Sequence, residues 1–508
     1  MKSDVNPWLV ALSVMLATFM VVLDSSVANV ALPHIAGSLS ASTDESTWVL
    51  TSYLVSNAII LPASGWLAAM IGRKRLLMVS IAVFTGASVL CGASLSMPML
   101  IVARVLQGVG GGGMQPIAQA VLLETFPIEK RGAAMAAYGM GVVVAPIIGP
   151  TLGGWITDSY SWRWIFYINL PVGILALSLV NLFVSDPPYL REGRARRIDY
   201  PGFAAMALWL GTLQLVLDKG QEDDWFSANW IVIAAVVSSA AMIAFVWREL
   251  SIKEPIVNLR VLKDRNFATG TILTSAYGVV LYGITAMLPL FLQTLLGYPA
   301  LQSGLAVSPR GIGSLVSMFV VGRLVGVIDN RILLAAGFGI LAVSSAMFSR
   351  INLEIAMVNV MLPNIINGFA TGFIFVPLTT MAMGTLQKQQ MGNATGVYNL
   401  MRNIGGSFGI AVVTTFLARG AQLHQNILVG NLTAGNPILR QDLATLSHTV
   451  TAGAGPVGAV SQAYALVYSE VIRQATLLSY ADNFRLMAGL ALLCAPMALL
   501  FKRARRRD

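Results

Sequence analysis

The fold is decided by the stretch TWVLTSYLVSNAIILPASGWLAAM at residues 47–70, with IGRKR at 71–75 and LLMVSIAVFTGASVLCGASLS at 76–96. Two apolar runs, each long enough to cross about 30 Å of hydrocarbon as a helix of roughly 20 residues, flank one short basic turn. Their hydrophobicity is continuous rather than alternating, which favours helices over a membrane β-barrel. The stretch therefore predicts two neighbouring membrane helices.

The same pattern continues in both directions and fills most of the 508 residues, of which 56% are hydrophobic and 11% charged. An ordinary soluble chain is about 25% charged, so the composition disfavours a soluble multidomain enzyme. About fourteen membrane helices are predicted. Their approximate spans are 8–31, 47–70, 76–96, 98–122, 133–157, 163–184, 200–217, 228–247, 267–295, 301–328, 331–349, 355–383, 396–417 and 484–501.

The distribution of Lys and Arg predicts the orientation of these helices. With the N-terminus in the cytoplasm, 23 of the 33 basic residues fall on the cytoplasmic side, seven on the other side and three inside spans. Basic residues collect in cytoplasmic loops, so we expect both termini there. The net charge of +10 then reflects topology rather than nucleic-acid binding, and the basic tail at 502–507 is expected to meet anionic headgroups of the lipid bilayer.

An internal repeat divides the chain. A shift of about 260 residues places Gln107 and Gly108 on Asn367 and Gly368. Internal repeats point to transporters. We therefore predict an all-α integral membrane protein of two six-helix bundles plus two inserted helices. The predicted boundaries are 1–185 for the N-terminal bundle, 186–265 for a linker with the two extra helices, and 266–508 for the C-terminal bundle with an extracytoplasmic loop at 418–483.

Six motifs resemble one known family along nearly the whole chain. The chain resembles the fourteen-helix EmrB/QacA-type drug:proton antiporters of the major facilitator superfamily. The matching stretches are VLDSSVANVALP (22–33), GWLAAMIGRKRLL (65–77), RVLQGVGGGG (104–113), APIIGPTLGGWI (145–156), SWRWIFYINLPVG (161–173) and YNLMRNIGGSFGIA (398–411).

The resemblance implies the major facilitator fold and a location in the bacterial cytoplasmic (inner) membrane. It also implies proton-driven export of small amphiphilic drugs by rocking of the two bundles, with the proton as coupling ion and no cofactor. The long loop at 418–483 is similar to that of the EmrB-like branch, which works with a periplasmic membrane-fusion adaptor and an outer-membrane channel. A loop resting on the membrane surface is the alternative.

The resemblance assigns gating to the basic loop, with Gly65, Gly72, Arg73 and Lys74. The chain departs from the family pattern where an acidic residue is usual, since Ala69 stands there. The usual charge relay from that carboxylate is therefore excluded, and gating is expected to depend on Arg73, Lys74 and packing.

Asp24 is the one carboxylate that the predicted spans place well inside the membrane. A carboxylate there is costly and is a functional site by default. Arg104 lies at a similar depth from the outer end of its helix, so we expect the two to meet and to couple proton and drug binding. A structural ion pair is the alternative.

Glycine-rich stretches predict close helix packing. GVGGGG at 108–113 satisfies a dinucleotide-binding pattern, but the strand and βαβ context it needs are missing from the sequence pattern. Gly149, Pro150, Gly153 and Gly154 are interpreted as an antiporter seam that seals the drug path against proton leak, with passive packing as the alternative.

Polar residues inside the predicted spans are candidate drug contacts. Three arginines within spans against one aspartate favour hydrophobic or weakly acidic amphiphiles over dications. The candidate contacts, each of which could instead serve packing, are Gln115, Asn364, Asn367, Asn399, Arg402 and Asn403.

Three other functions stay open at this point. One is a proton-coupled symporter or facilitator for a small metabolite, and another is an exporter of an endogenous metabolite such as a fatty acid or siderophore. The third is a membrane scaffold or sensor, which would tolerate neutralisation of the buried charges.

Overall fold

The computed structural model describes residues 6–187, 199–430, 432–433 and 435–502, without the side chains of Thr43, Asp44, Pro150, Ala300, Leu301 and 450–458. The regular elements of these ranges are helices, which satisfy their own backbone hydrogen bonds and so suit a lipid environment. The α-helices are α1 Pro7–Ser38, α2 Thr43–Ile71, α3 Arg73–Gly92, α4 Met97–Gly112, α5 Met114–Thr125, α6 Arg131–Ser159, α7 Trp164–Tyr167, α8 Asn169–Phe183, α9 Tyr200–Lys219, α10 Asn229–Ser251, α11 Arg265–Thr294, α12 Ala300–Val307, α13 Pro309–Leu324, α14 Asn330–Phe348, α15 Met357–Met383, α16 Met391–Gly430 and α17 Pro437–Met497.

Thirteen helical stretches of the described residues are long and apolar enough to cross a membrane. The predicted span at 98–122 supplies the remaining crossing in two pieces. The chain leaves the helix at Gly113, so α4 has 16 residues and α5 has 12. The predicted all-α membrane architecture with about fourteen crossings is confirmed.

The helices have two ends, which we name by charge. One end of the helix bundle, the basic face, lies on the side of Pro7 and Phe501 and carries Arg73, Lys130, Arg323 and Lys388. The helix ends on the other side form the opposite face. The basic tail lies outside the described residues beyond Lys502.

The first eight helices pack on one another, as do α11 to α17. These two groups meet where α2 and α5 contact α16, and where α6 contacts α13 and α15. The inserted helices α9 and α10 pack together, and α9 lies against both α2 and α16. The inserted pair thus touches both groups.

The segment 418–483, expected to lie outside the membrane as a long connection with helix-like polar segments, is largely helical. Helix α16 continues to Gly430 and α17 begins at Pro437, so both helices run well past their apolar spans. They contact each other where the Ser479 hydroxyl donates 2.9 Å to the Leu417 carbonyl and where Gln425 Nε2 donates 2.9 Å to the Tyr468 hydroxyl. The low hydrophobicity of the segment did not predict that its two helical parts would continue α16 and α17 and pair with each other.

Candidate functional site

A buried ion pair joins α1 to α4. Arg104 Nη1 donates a 2.7 Å hydrogen bond to Asp24 Oδ2. Asp24 is 3% exposed and Arg104 is 0% exposed. The contact predicted from their similar depths is therefore present, and both charges are removed from solvent.

Two side-chain amides complete the surroundings of the Asp24 carboxylate. Gln107 Nε2 donates 2.8 Å and Asn169 Nδ2 donates 2.7 Å to Asp24 Oδ1. Both amides also donate to the Ser88 hydroxyl, at 2.6 and 3.0 Å. Three donors on two oxygens fit an ionised carboxylate, which only accepts. Because all three groups donate to the carboxylate, they stabilise its ionised form.

Arg104 is held from several sides as well. Its Nε donates 3.0 Å to the Val49 carbonyl, Nη1 also donates 2.6 Å to Gln107 Oε1, and the guanidinium lies 4.3 Å from the centre of the Tyr53 ring. The arginine therefore has partners on α2 and α4 that remain when its carboxylate is neutralised. Asp24 is the member of the pair that can change charge.

Sequence reasoning missed the roles of Gln107, Asn169 and Ser88. Gln107 and Asn169 stood inside the stretches 104–113 and 161–173 that carried the resemblance, so a signal was available. The sequence alone does not bring these residues to Asp24, because Gln107 is 83 positions and Asn169 145 positions away from it along the chain.

The residues that the resemblance predicts to act in gating lie at the basic face. Arg73 forms a buried ion pair with Glu124 of α5, and the Lys74 N–H donates 2.8 Å to Asp186 Oδ1. Gly72 has φ of +91°, which permits the sharp turn between α2 and α3. Glu124 and Asp186 thus place carboxylates against Arg73 and Lys74, although the position of the usual acidic residue is taken by Ala69.

Gly65 marks the junction of the two helix groups at this face. A Cβ on Gly65 would lie 2.6 Å from the backbone carbonyl group of Gly392 on α16, so only glycine permits this approach. The contact fits the predicted dependence of gating on packing.

The predicted antiporter seam is uneven. A Cβ on Gly149 would lie 2.6 Å from Ser26 Cβ, and one on Gly153 would lie 3.0 Å from Val27 Cγ1, both on α1. Gly154, in contrast, has no neighbour within 4 Å of its Cβ position among the described residues. The side chain of Pro150 lies outside the described residues. Close packing therefore concerns Gly149 and Gly153, and the inclusion of Gly154 in the packed seam is not supported.

Three candidate drug contacts lie between the helix groups. Arg402 Nη2 donates 3.0 Å to Gln115 Oε1 of α5, and Asn399 Nδ2 donates 2.6 Å to Gln119 Oε1 of the same helix. Gln119 did not stand out in the sequence, because its partner lies 280 positions away.

The other three candidates, Asn364, Asn367 and Asn403, differ in their burial and in their hydrogen bonds. Asn364 Nδ2 donates 3.2 Å to the carbonyls of Ala306 and Val360, so its amide serves packing inside the second helix group. Asn367 is 1% exposed, and neither of its amide atoms has a hydrogen-bond partner among the described residues. Asn403 is half-buried on α16.

Several known proteins are similar to this chain in sequence. The model of the Major Facilitator Superfamily matches residues 14–410. The chain is 40% identical over 434 residues to the "Multidrug export protein EmrB" of Haemophilus influenzae, covering 85% of this chain and 84% of that protein. It is 36% identical to the "Probable multidrug resistance protein EmrY" of Escherichia coli, covering 97% and 95%.

Two further likenesses are informative. The chain is 38% identical to the "Fatty acid resistance protein FarB" of Neisseria gonorrhoeae, covering 88% of each chain. The structure of the human organic anion transporter MFSD10 (TETRAN) superposes with a TM-score of 0.61 at 12% identity, covering 96% of this chain and 99% of that one. At that identity the second likeness concerns the fold alone.

Proposed function

The chain belongs to the major facilitator superfamily, and on that premise we propose that it is a proton-driven multidrug exporter of hydrophobic or weakly acidic amphiphilic compounds. It is a multi-pass membrane transporter, and the names of the EmrB and EmrY relatives support multidrug export. Under this proposal the proton is the coupling ion, and no cofactor takes part.

The observation that carries the proposal is the buried Asp24–Arg104 pair with its amide donors. In one state the carboxylate is ionised and tied to Arg104. In the other it is protonated, which weakens the tie between α1 and α4. Drug binding and proton binding then favour opposite states, as antiport requires. One proton moving down a membrane potential supplies about 2.3 kcal/mol per 100 mV, enough to sustain a useful gradient.

The test is substrate-induced proton release from the purified protein in detergent. A panel of acidic, neutral and cationic amphiphiles is added to wild type and to Asp24→Asn. We expect release from wild type and none from the variant. The control is Asp223→Asn, which removes an exposed carboxylate at the opposite face. Release that persists in Asp24→Asn would remove Asp24 from this role, and binding without release from wild type would favour a facilitator.

The main alternative is export of an endogenous metabolite. The FarB relative favours a fatty acid within that class. The direction of transport separates export from symport, since an exporter depletes substrate from energised cells and a symporter accumulates it.

The proposed cellular setting is the bacterial inner membrane, with both termini cytoplasmic and the basic face inside. The excess of Lys and Arg at the basic face supports this orientation. Helices α16 and α17 would then extend into the periplasm.

The proposed partners are a periplasmic membrane-fusion adaptor and, through it, an outer-membrane channel. The extensions of α16 and α17 expose apolar side chains past the apolar spans, among them Leu423, Ile438 and Tyr464. A photocross-linking residue at Leu423 is expected to capture a co-expressed adaptor. The matched position is Leu95, which is also exposed at the opposite face but lies between α3 and α4. Equal capture at both positions would contradict docking on the extensions.

A further inference from the structure

The inserted helix α9 lies against the first helix group near the opposite face. It begins at Tyr200 and ends at Lys219, whose Nζ donates 2.9 Å to the Thr47 hydroxyl near the start of α2. A Cβ on Gly211 would lie 3.7 Å from Val55 Cγ1 of α2, which is an ordinary packing distance. Contacts at 211 and 219 are about two helical turns apart, so α9 follows α2 along its last turns.

Two hydrogen bonds join the same region to the second helix group. The Ser407 hydroxyl of α16 donates 3.0 Å to Gln214 Oε1 of α9. In the connection from α9 to α10, Trp225 Nε1 donates 2.9 Å to the Thr415 hydroxyl of α16. Ser407 and Thr415 lie 16 and 24 positions past Met391, where α16 begins at the basic face. At about 1.5 Å per residue, both bonds are therefore in the half of the molecule near the opposite face.

The connection from α9 to α10 has an unusual backbone. Asp224 and Trp225 are consecutive, neither is glycine, and their φ angles are +51° and +52°. Side chains disfavour this left-handed region, so the conformation persists only where surrounding contacts hold it. The Trp225 N–H donates 2.6 Å to the Gly220 carbonyl, and a Cβ on Gly220 would lie 2.7 Å from the Trp225 ring. The turn therefore holds the indole in the position from which it reaches α16.

The half near the basic face is built differently, because α2 and α16 meet there directly. The close approach at Gly65 is one such contact, and a Cβ on Gly396 would lie 3.2 Å from the Pro62 carbonyl oxygen. When the groups separate at the opposite face while these contacts persist, the displacement grows with distance from the basic face. The two hydrogen bonds from α9 and its connection to α16 then lie where the displacement is large.

We propose that α9 and the connection at 220–228 form a strap that holds the ends of α2 and α16 together at the opposite face. The strap is released from α16 when the two helix groups separate there. Packing along α2 keeps it with the first group, whereas two hydrogen bonds hold it to the second. After release Gln214 keeps a partner, because its Nε2 donates 2.9 Å to Asp218 Oδ1 of α9. This inference goes beyond the proposed function and is independent of the coupling ion and of the substrate.

The distance between the two groups at the opposite face tests the strap. Spin labels are attached through a ketone-bearing amino acid at Ser38 and Arg350, which are exposed positions of the first and second group. The purified full-length protein with these labels is compared with the variant Ser407→Ala/Trp225→Phe. This variant removes both hydrogen bonds to α16 and keeps an aromatic ring at 225.

The control variant, Ser239→Ala/Trp230→Phe, makes the same two changes on α10. There the Ser239 hydroxyl donates to the Ala235 carbonyl of its own helix, and Trp230 is exposed. We expect Ser407→Ala/Trp225→Phe to raise the ratio of long to short distances about fivefold for each bond lost, and the control to match wild type. A distance distribution identical to that of wild type in both variants would overturn the proposal.

A reversible cross-link shows whether the strap must leave α16. Gln214→Cys/Ser407→Cys is prepared in the Trp225→Phe background, so that both hydrogen bonds are absent until a short bis-methanethiosulfonate reagent joins the cysteines. The matched pair, Gly211→Cys/Val55→Cys in the Ser407→Ala/Trp225→Phe background, ties α9 to α2 instead. Both native cysteines are buried.

We expect the link between positions 214 and 407 to abolish the long-distance population, and reduction of the linker to restore it. The link between positions 211 and 55 should leave that population unchanged. A long-distance population that survives the link to α16 would overturn the strap, and so would its loss on linking α9 to α2. Where Trp225→Phe does not fold, Gln214→Cys/Ser407→Cys alone, before and after cross-linking, gives the same decision.

Discussion

Asn399 on α16 donates a 2.6 Å hydrogen bond to Gln119 on α5, and this bond crosses from one helix group to the other. It lies in the half of the molecule near the basic face, as does the contact of Gly65 with Gly392. Alternating access requires such contacts to open when the groups rock apart. The Asn399–Gln119 bond is therefore a contact that belongs to one state of the transport cycle.

Replacing Gln119 with Leu should shift the protein towards the state in which the basic ends are apart. A lost hydrogen bond of about 1 kcal/mol changes the ratio of two populations about fivefold. Spin labels at the exposed positions Arg75 and Lys388 report the distance between the groups. Gln302→Leu, an exposed position at the opposite face, is the control, and identical distance distributions in Gln119→Leu and wild type would contradict the assignment.

Removing one donor from Asp24 should change the pH dependence of transport. Asn169→Leu deletes a 2.7 Å bond that favours the ionised carboxylate, so proton binding should become easier. We expect the midpoint of the transport pH profile to move up.

The measurement is proton-driven uptake into inverted vesicles across a pH series. Ser94→Ala is the control, because Ser94 lies just past the end of α3 and its hydroxyl donates to the backbone carbonyl of Leu90. An unchanged midpoint in Asn169→Leu would mean that Asn169 does not affect proton binding. A downward shift would mean that Asn169 favours the protonated carboxyl rather than the ionised one.

The sequence predicted features that depend on short-range pattern. Continuous apolar runs located the membrane helices, and depth along two antiparallel helices was enough to bring Asp24 to Arg104. The break at Gly113 was not predicted, because glycine within an apolar run does not by itself end a helix.

Other long-range partners were not predicted from the sequence. Asp186 binds the start of α3 from 112 positions away, and nothing in its own neighbourhood marks it as the partner of Lys74. The pairing of α16 with α17 depends likewise on contacts between residues that are distant in the sequence, Gln425 with Tyr468 and Leu417 with Ser479. Such contacts follow from how helices pack, which periodicity does not encode.

Gly149 and Gly154, two glycines of the predicted antiporter seam, should respond differently to the same substitution. Gly149→Ala places a Cβ 2.6 Å from Ser26 Cβ, so α1 and α6 must move apart, whereas Gly154→Ala meets no described atom within 4 Å. Overpacking costs about 1 to 3 kcal/mol, while alanine at an open helix position is favoured over glycine by roughly 0.5 to 1 kcal/mol. We expect a lower Tm and reduced drug export for Gly149→Ala only. Equal behaviour of the two variants would mean that close packing is not the basis of the seam.

The inserted helices α9 and α10 should depend on one ion pair at the basic face. Arg248 Nε and Nη2 donate 2.8 and 2.6 Å to Asp199 Oδ1, and the Gly202 N–H donates 3.1 Å to the same oxygen. Burial works to raise the pKa of the Asp199 carboxyl, but the hydrogen bonds from Arg248 and Gly202 outweigh it and hold that pKa below its usual range.

A lowered carboxyl pKa stabilises the folded state above the unfolded pKa of about 3.9, and this contribution disappears as the pH falls through the folded value. Asp199→Asn keeps a side chain able to cap α9 but loses the charge. We expect its Tm to lie below that of wild type at pH 7 and the difference to close below about pH 4. Asp223→Asn, at an exposed position, should match wild type throughout. A Tm difference that stays constant down to pH 3 would assign the effect to packing, because only the charged form of Asp199 can give a difference that acid removes.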